Sequence, residues 1–401
     1  MAALKKAFDC CVVGGGPAGV VLGLLLARKS VRVVLLEAHE DFDRDFRGDT
    51  VHPSTLEMLD RIDLAEKVLA IDHVKMSQMS LVTGNGAVTL ADFSRSGLRF
   101  PYIAVLPQDE LLELLVSEAK RYPTFEVRMG ARASDLIEQA GRVRGVRLSD
   151  GSEIRATLTV GADGRGSRVS RLAGFEPVKN APPMDVMWFR LPRHQDESAL
   201  EMTGFRVGAG HVIVVFGRKH EWQLGYIITK GTVRQVRDAG LDAFRQSVAT
   251  LVPELADRVD TVTQWSDVHF LSVESSRLPR WYKPGLLVLG DAAHVMSPAG
   301  GVGINYAIQD AVAAANLLWR PLKDGTLSTA DLEAVQRRRE PPTRFIQRVQ
   351  SILQRQFIRR ALDDEEFTLS WQARLAAKIP LLRRMAAKII GMGPRPEFVE
   401  D

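Results

Sequence analysis

Residues 8–37, FDCCVVGGGPAGVVLGLLLARKSVRVVLLE, decide the fold. FDCCVV (8–13) has the length and apolar character of a short buried strand. AGVVLGLLLARK (18–29) reads as an apolar helix and VRVVLLE (31–37) as a second buried strand. Strand, helix and strand in about thirty residues make a βαβ unit, the start of a doubly wound sheet. Lys5 and Lys6, followed by a charge-free run from Cys10 to Ala27, imitate a signal peptide or a membrane span. The GGGPAG at 14–19 would break a hydrophobic helix in its middle, whereas a strand–turn–helix accounts for every residue of the run.

The glycines carry chemistry as well as geometry. Gly14, Gly16 and Gly19 fit G-x-G-x-x-G after a strand and at the opening of a helix, the context that gives the pattern meaning. Gly14 permits a tight turn. Gly16, beside Pro17 and Ala18, lets backbone approach a pyrophosphate at the helix N-terminus, and Gly19 lets helix and strand pack closely. Glu37, 23 residues after Gly14 and next to Ala38, ends the second strand where a carboxylate can accept hydrogen bonds from ribose hydroxyls. A helix that merely needs small residues explains the glycines but not the acid. The pattern predicts a bound dinucleotide and leaves FAD and NAD open.

VLGDAAHVMSPAGGVGINYAIQDA (288–311) separates the two. Gly290 and Asp291 close an apolar strand, where an acid can bond a polyol chain such as ribityl. The amides of Gly301, Val302 and Gly303, with Ile304 and Asn305 behind them, open a helix. They can face a flavin's N1–C2=O edge, where negative charge gathers on reduction. NAD has neither feature. Asp163-Gly164, in VGADGRGSRVSR (160–171), is a weaker sign, since many strands end in Asp-Gly as a turn.

The chain has 401 residues, 45% of them hydrophobic and 25% charged, an ordinary composition for two domains and a tail. Net charge is +4, yet Val335–Arg395 alone holds 14 Lys/Arg against 5 Asp/Glu, so the rest of the chain is net negative. Cys10 and Cys11 are adjacent and have no distant partner, which excludes a disulfide framework and fits a reducing cytoplasm. No metal-ligand spacing is visible. The basic residues lie on helices without an aromatic platform, which argues against nucleic-acid binding.

Residues 53–70 read as a helix, 76–105 as strands, 108–121 as an amphipathic helix, and Asp150-Gly151 as a hairpin turn. From 183 to 273 the texture becomes alternating and aromatic-rich, with one helix at 241–252. The tail after 326 is helical, Arg-rich, and expected to break at Pro341-Pro342 and at Pro380.

The three motifs, in this order, resemble the class A FAD-dependent monooxygenases, the para-hydroxybenzoate hydroxylase-like aromatic hydroxylases. The resemblance covers about residues 8–325 and is most specific in the Gly290–Asp310 stretch. It implies an α/β fold: a Rossmann-like FAD-binding domain (1–75, 101–182, 274–325), an inserted antiparallel-sheet substrate domain (76–100, 183–273) and a C-terminal helical region (326–401). It implies bound FAD, transient reduction by NADPH or NADH, and hydroxylation of an aromatic or polyketide-like, lipophilic molecule by O2 through a flavin C4a-hydroperoxide. Arg47 would reach the FAD phosphates or the nicotinamide cofactor, and Gln108 the flavin's ribityl chain or phosphates, with Asp163 a further cofactor-binding residue. Pro298 and Gly301 would lie at the reacting flavin face, with His52 as a further catalytic candidate. His294 reads as a structural hydrogen-bonding residue. Trp188, Phe205, His211, Phe216, Trp222 and Tyr226 are candidates for the substrate pocket, although about half the residues of an alternating strand face a core. The chain departs from the family at Ser170, where an Arg is usual.

Three other readings compete. A flavoprotein reductase of isoprenoid double bonds would add no oxygen. A flavin halogenase would need a second Trp where MWFRLP (187–192) has Arg190, and Lys75 is only a loose match to its lysine. A flavin redox module would be no enzyme at all. The tail's WQARLAAKIPLLRRMAAKIIGMG (371–393) is either a helix packed on the body with its basic face in water, or a peripheral contact with the inner face of an anionic membrane.

Overall fold

Phe8–Val13 sits in the middle of a sheet, between Val33–Leu36 and Glu153–Gly161, and all three strands run parallel. The computed structural model describes residues 8–43, 49–194, 196–198, 203–208, 210–363 and 367–400. It extends this layer to the parallel order Leu286–Val288, Glu153–Gly161, Phe8–Val13, Val33–Leu36, Phe125–Arg128. Antiparallel strands flank that core. Lys5, Lys6 and Arg47 lie outside the described residues. Cys10 and Cys11 are buried and unpaired, and burial pushes the Cys11 thiol up to about 12. Such thiols pack as small hydrophobes.

The register decides where a ligand can go. Val13 pairs with Leu36 and with Gly161, and Gly161 pairs with Val288. Four strands therefore end level, and the Gly14 loop, Glu37, Asp163 and Asp291 all follow at one carboxyl edge, where open α/β sheets bind ligands. Gly14 is required there. Its φ is +109°, and a Cβ would lie 2.4 Å from the Ala162 carbonyl oxygen. Pro17–Arg28, buried continuously from Ala18 to Ala27, packs between Gln108–Ala119 and the long helix Gly303–Asp324.

The second large sheet has seven strands, in the order His269–Leu271, Met184–Pro192, Glu221–Thr229, His211–Gly217, Gly204–Gly208, Gln78–Thr83, Gly86–Asp92. One face packs on the helix Leu241–Leu251 through Phe189, Trp222 and Phe244. The other turns toward the first sheet.

Two expectations about helices need correction. The helix expected over 53–70 is two, Pro53–Asp60 and Ala65–Leu69, parted where Asp63 takes a left-handed φ of +61°. The tail does not break at Pro341-Pro342, because Thr329–Leu353 runs through both. Leu332, Val335, Arg339, Thr343, Ile346 and Gln350 keep one buried face on either side of the prolines. That packing outweighs a penalty of roughly 3 kcal/mol per interior proline. At Pro380 the break is real: Ile379 is extended and Pro380 opens Pro380–Met392.

One buried charge cluster ties these pieces together. Asp310, in the long helix, accepts from Arg339 Nε at 2.9 Å through one oxygen. Its other oxygen faces His294 Nε2 at 2.5 Å and accepts from the Gly290 amide at 3.2 Å. Burial alone would push this carboxyl up; His294 and Arg339 outweigh it and hold it below its ordinary value. His294 thus has the structural role expected. Arg339 also donates to the Arg395 carbonyl at 3.1 Å, which fastens the C-terminus.

His52 is the second buried titratable group. It precedes Pro53–Asp60, its ring Nδ1 lies 2.9 Å from the Ile390 carbonyl, and its Nε2 is buried without a hydrogen-bond partner. Burial pulls its pKa down to about 4.

Two outcomes are expected. Arg339→Met leaves a buried carboxylate short of its counter-charge and should lose about 3–5 kcal/mol in urea unfolding. Adding Asp310→Asn should recover part of that. A loss below about 1 kcal/mol would show that the carboxylate does not depend on Arg339. For His52, the unfolded ring takes up a proton near its ordinary pKa of about 6.5 while the folded ring stays neutral down to about 4. Stability is therefore whole above pH 6.5 or so and declines between there and pH 4, by about 3 kcal/mol in total. His52→Asn should flatten that part of the pH–stability curve, and parallel curves would refute a ring held neutral.

Candidate active site

The level strand ends leave a cavity of about 310 Å³ between the two large sheets. Gly16, Pro17 and Ala18 line one end, at the N-terminus of Pro17–Arg28. Nothing lies within 4 Å of where a Gly16 side chain would begin, so the backbone is open to a pyrophosphate. Gly19 stands behind the loop. Glu37, followed by Ala38, accepts the Gly15 amide at 2.8 Å and the His39 amide at 2.9 Å. The acid expected at the ribose thus also fastens the glycine loop. Asp291 lines the middle of the cavity and accepts from Arg165 Nε at 3.2 Å. Gln108 lines it too. At the far end Pro298, Gly301, Gly303 and Ile304 form a wall at the start of the 22-residue helix Gly303–Asp324. An open loop, a polyol-binding acid and a second helix N-terminus along one groove fit FAD.

Four candidates for cofactor contact have other work. Asp163 caps Arg168–Leu172, accepting from Ser167 Oγ at 2.5 Å and from the Arg168 and Val169 amides at 2.7 and 3.0 Å. Its neighbours Gly164 and Arg165 line the cavity instead. Gly290 is buried, with its amide on Asp310. Val302 is buried behind the wall. Asn305 is fully engaged: its oxygen accepts from the His52 amide and Thr55 Oγ1, both at 2.8 Å, and its nitrogen donates to the Thr50 and Gly301 carbonyls. It staples the helix to the 50–55 segment. His52 also lies outside the lining, because its ring faces the C-terminal helix.

Beyond Pro298 the groove meets an apolar chamber of about 70 Å³, and the two share Thr50, Trp188, Phe216, Pro298 and Gly301. Met76, Met79, Ile103, Met184 and Ile358 are among its apolar walls. Of the pocket candidates, Trp188, Phe205 and Phe216 line it. Trp188 stacks on Phe216 with ring centroids 6.3 Å apart. Gly225, paired opposite Trp188, has no side chain because a Cβ would lie 2.9 Å from the indole. Trp222, Tyr226 and His211 correct the expectation. Trp222 donates to Glu197 at 2.8 Å, while the Tyr226 hydroxyl meets Ser247 at 2.7 Å and its ring lies beside His211. All three belong to the opposite face, where Trp222 and Tyr226 pack with Phe244 and the period of two puts every second residue.

The chamber's walls carry two polar side-chain groups. Thr50 Oγ1 is spent on the Gly301 carbonyl at 3.0 Å. Trp188 Nε1 is buried with no hydrogen-bond partner. Several other residues escape a reading of the sequence. Arg218 pairs with Asp49 and donates to Gln223 Oε1 at 2.7 Å, and both partners line the cavity. Ser170, where an Arg was expected, is buried and donates to the Ala292 carbonyl at 2.9 Å. Gln350 donates to the Ser297 and Ala299 carbonyls at 3.0 and 2.7 Å and so holds the Pro298 loop.

The chain is similar to proteins already known. Residues 7–349 match the model of the FAD binding domain family. A 6-methylpretetramide 4-monooxygenase of Streptomyces rimosus is 34% identical over 87% of this chain and 84% of its own length. A rifampicin monooxygenase of Streptomyces venezuelae is 29% identical, and the chain spans 63% of it. The crystal structure of p-nitrophenol 4-monooxygenase from Pseudomonas putida shares the fold, with a TM-score of 0.78 at 19% identity over 96% of this chain and 97% of that one. The chain belongs to the class A FAD-dependent aromatic hydroxylases, enzymes that hold FAD and draw electrons from NAD(P)H.

Proposed function

We propose that this enzyme hydroxylates a flat, lipophilic, polyketide-like aromatic molecule that carries at least one carbonyl or comparable acceptor. One observation carries the reading: the groove that fits FAD opens at Pro298 into an apolar chamber, and among the described side chains that line it Trp188 Nε1 is the one buried polar atom without a partner. A buried donor without a partner costs roughly 1–3 kcal/mol, which a substrate acceptor would restore. The Streptomyces rimosus relative is, by its name, a monooxygenase of 6-methylpretetramide, which supports the reading.

Bound FAD supplies the redox chemistry, taking electrons from NAD(P)H and delivering one atom of O2. The chain supplies position. The Gly14–Gly19 loop and the Ala18 amide at the helix N-terminus hold the pyrophosphate, Glu37 the ribose, Asp291 and Gln108 the ribityl region. The Gly303 amide, at the start of its helix, meets the ring where negative charge gathers, while the Gly301 amide is spent on the Pro298 carbonyl at 3.0 Å and shapes the turn. Pro298 and Gly301 are the catalytic surface, since they border both groove and chamber. The apolar walls exclude water from the reacting face. The two large sheets correspond to a cofactor domain and a substrate domain in this reading. Buried, unpaired cysteines suit a reducing cytoplasm, and among the described residues no helix is long and apolar enough to cross a membrane.

The test is anaerobic flavin reduction by NADPH and by NADH with a panel of polycyclic phenols and ketones, followed by turnover in oxygen-18 gas. One compound should speed reduction and leave with a single heavy oxygen. A product without that label, or a flavin that neither nicotinamide reduces, overturns the reading. Trp188→Phe keeps the ring and removes the donor. It should weaken binding of the carbonyl substrate about tenfold and leave an analogue lacking the acceptor unchanged. Equal losses for both would mean that the indole only packs.

A further inference from the structure

The C-terminal helices present the wrong face to water. Pro380–Met392 packs along Gly86–Asp92, and its inner residues Ala386, Ala387 and Ile390 belong to one apolar cluster with Met76, Met79, Ile103 and Phe216, which are walls of the chamber. Its opposite side, Leu381, Leu382, Met385 and Ile389, is exposed, as are Trp371 and Leu375 on Trp371–Lys378. A surface helix ordinarily buries its apolar stripe and wets its polar one. Here apolar side chains stand outward over some twenty residues, a patch of the kind that marks an interaction surface.

The charges beside them identify the partner. From Phe367 to Pro396 the sequence has no Asp or Glu. Arg374, Lys378, Arg384 and Lys388 are exposed on the same two helices. Apolar side chains flanked only by cations match an interface of acyl chains beneath anionic headgroups. A second copy would bring its own cations against these.

We infer that these two helices lie in the surface of an anionic membrane and place the substrate chamber against it. The geometry adds a route: the residues that wall the chamber are backed by the helix that meets the lipid. A lipophilic substrate can then pass from bilayer to chamber without crossing bulk water. The inference concerns how the site is supplied and rests on the proposed lipophilic substrate for that purpose alone.

The experiment is sedimentation of the FAD-loaded enzyme with vesicles of equal parts phosphatidylglycerol and phosphatidylcholine, and with phosphatidylcholine alone. Neither NAD(P)H nor substrate is present, so the result is independent of whether the hydroxylase reading holds. The enzyme should sediment with the anionic vesicles and be released by high salt. Lys378→Glu with Lys388→Glu should weaken that binding by at least about tenfold. Leu382→Asp with Met385→Asp should abolish it, while both double variants keep the flavin spectrum of the unmodified enzyme. Failure to sediment with either vesicle overturns the inference, as does binding that neither variant changes. A dimer in solution that Leu382→Asp with Met385→Asp converts to a monomer, without vesicle binding, overturns it too and assigns the face to a second copy.

Discussion

Asp310 holds the geometry of the site from behind. An isolated carboxylate taken out of water costs several kcal/mol, so it persists only where its partners are fixed. Here they are the Gly290 amide and His294, from one turn, and Arg339, from a helix some 45 residues further on. The consequence reaches the cavity. Gly290 positions Asp291, while Asp310 and Gly303 belong to one helix, seven residues apart or about 10 Å. The acid on one side of the groove and the amides on the other are therefore spaced by a rigid rod. Arg339 extends the same constraint to the C-terminus, where it also meets Glu397 at 3.5 Å.

The long helix Thr329–Leu353 does a related job through uncharged groups. Gln347 and Gln350 donate to backbone carbonyls of the 295–299 loop, and Gln336 accepts the Trp281 amide at 2.9 Å. Pro298 borders both groove and chamber, so its position is set by residues far along the chain. Side-chain amides suit this use. They satisfy loop carbonyls that no strand pairs, and they carry no charge that burial would penalise.

The sequence was legible where a pattern has one physical use. A glycine triad between a strand and a helix, with an acid ending the next strand, leaves little choice of fold, and the level strand ends follow from it. It was illegible where a residue type has two uses and a distant partner chooses between them. Asp163 could hold a cofactor or cap a helix, and Ser167 four residues on made it a cap. The strands of the second sheet were evident from alternation. Which of Trp188 and Trp222 faced the cavity was not, because a shift of one residue exchanges the faces. The glutamines of Thr329–Leu353 drew no reading at all, since nothing local marks an amide that meets a loop about 50 residues upstream. Pro341-Pro342 misled for the same reason: local propensity argued for a break, and a continuous buried face overrode it.

The chamber's size bears on how it works. Ligand pockets usually occupy about 300–1,000 Å³, several times the 70 Å³ of this one, so a polycyclic substrate needs the walls to give. The sheet side resists. Val186, Trp188, Val214 and Ile227 belong to hydrogen-bonded strands, and Trp188 fits against Gly225 with no space to spare. The other side can yield, because Met76 and Met79 have unbranched side chains that change rotamer at little cost. Those two methionines share one apolar cluster with Ala386, Ala387 and Ile390 of the last helix, so the room they gain depends on how that cluster repacks. The helix itself is fastened: Ala387 is fully buried, Gly391 leaves room for Pro53 and Phe93, and the Ile390 carbonyl meets the His52 ring. Side chains, not backbone, must therefore give to admit a substrate, while Asp310 keeps the cofactor groove fixed.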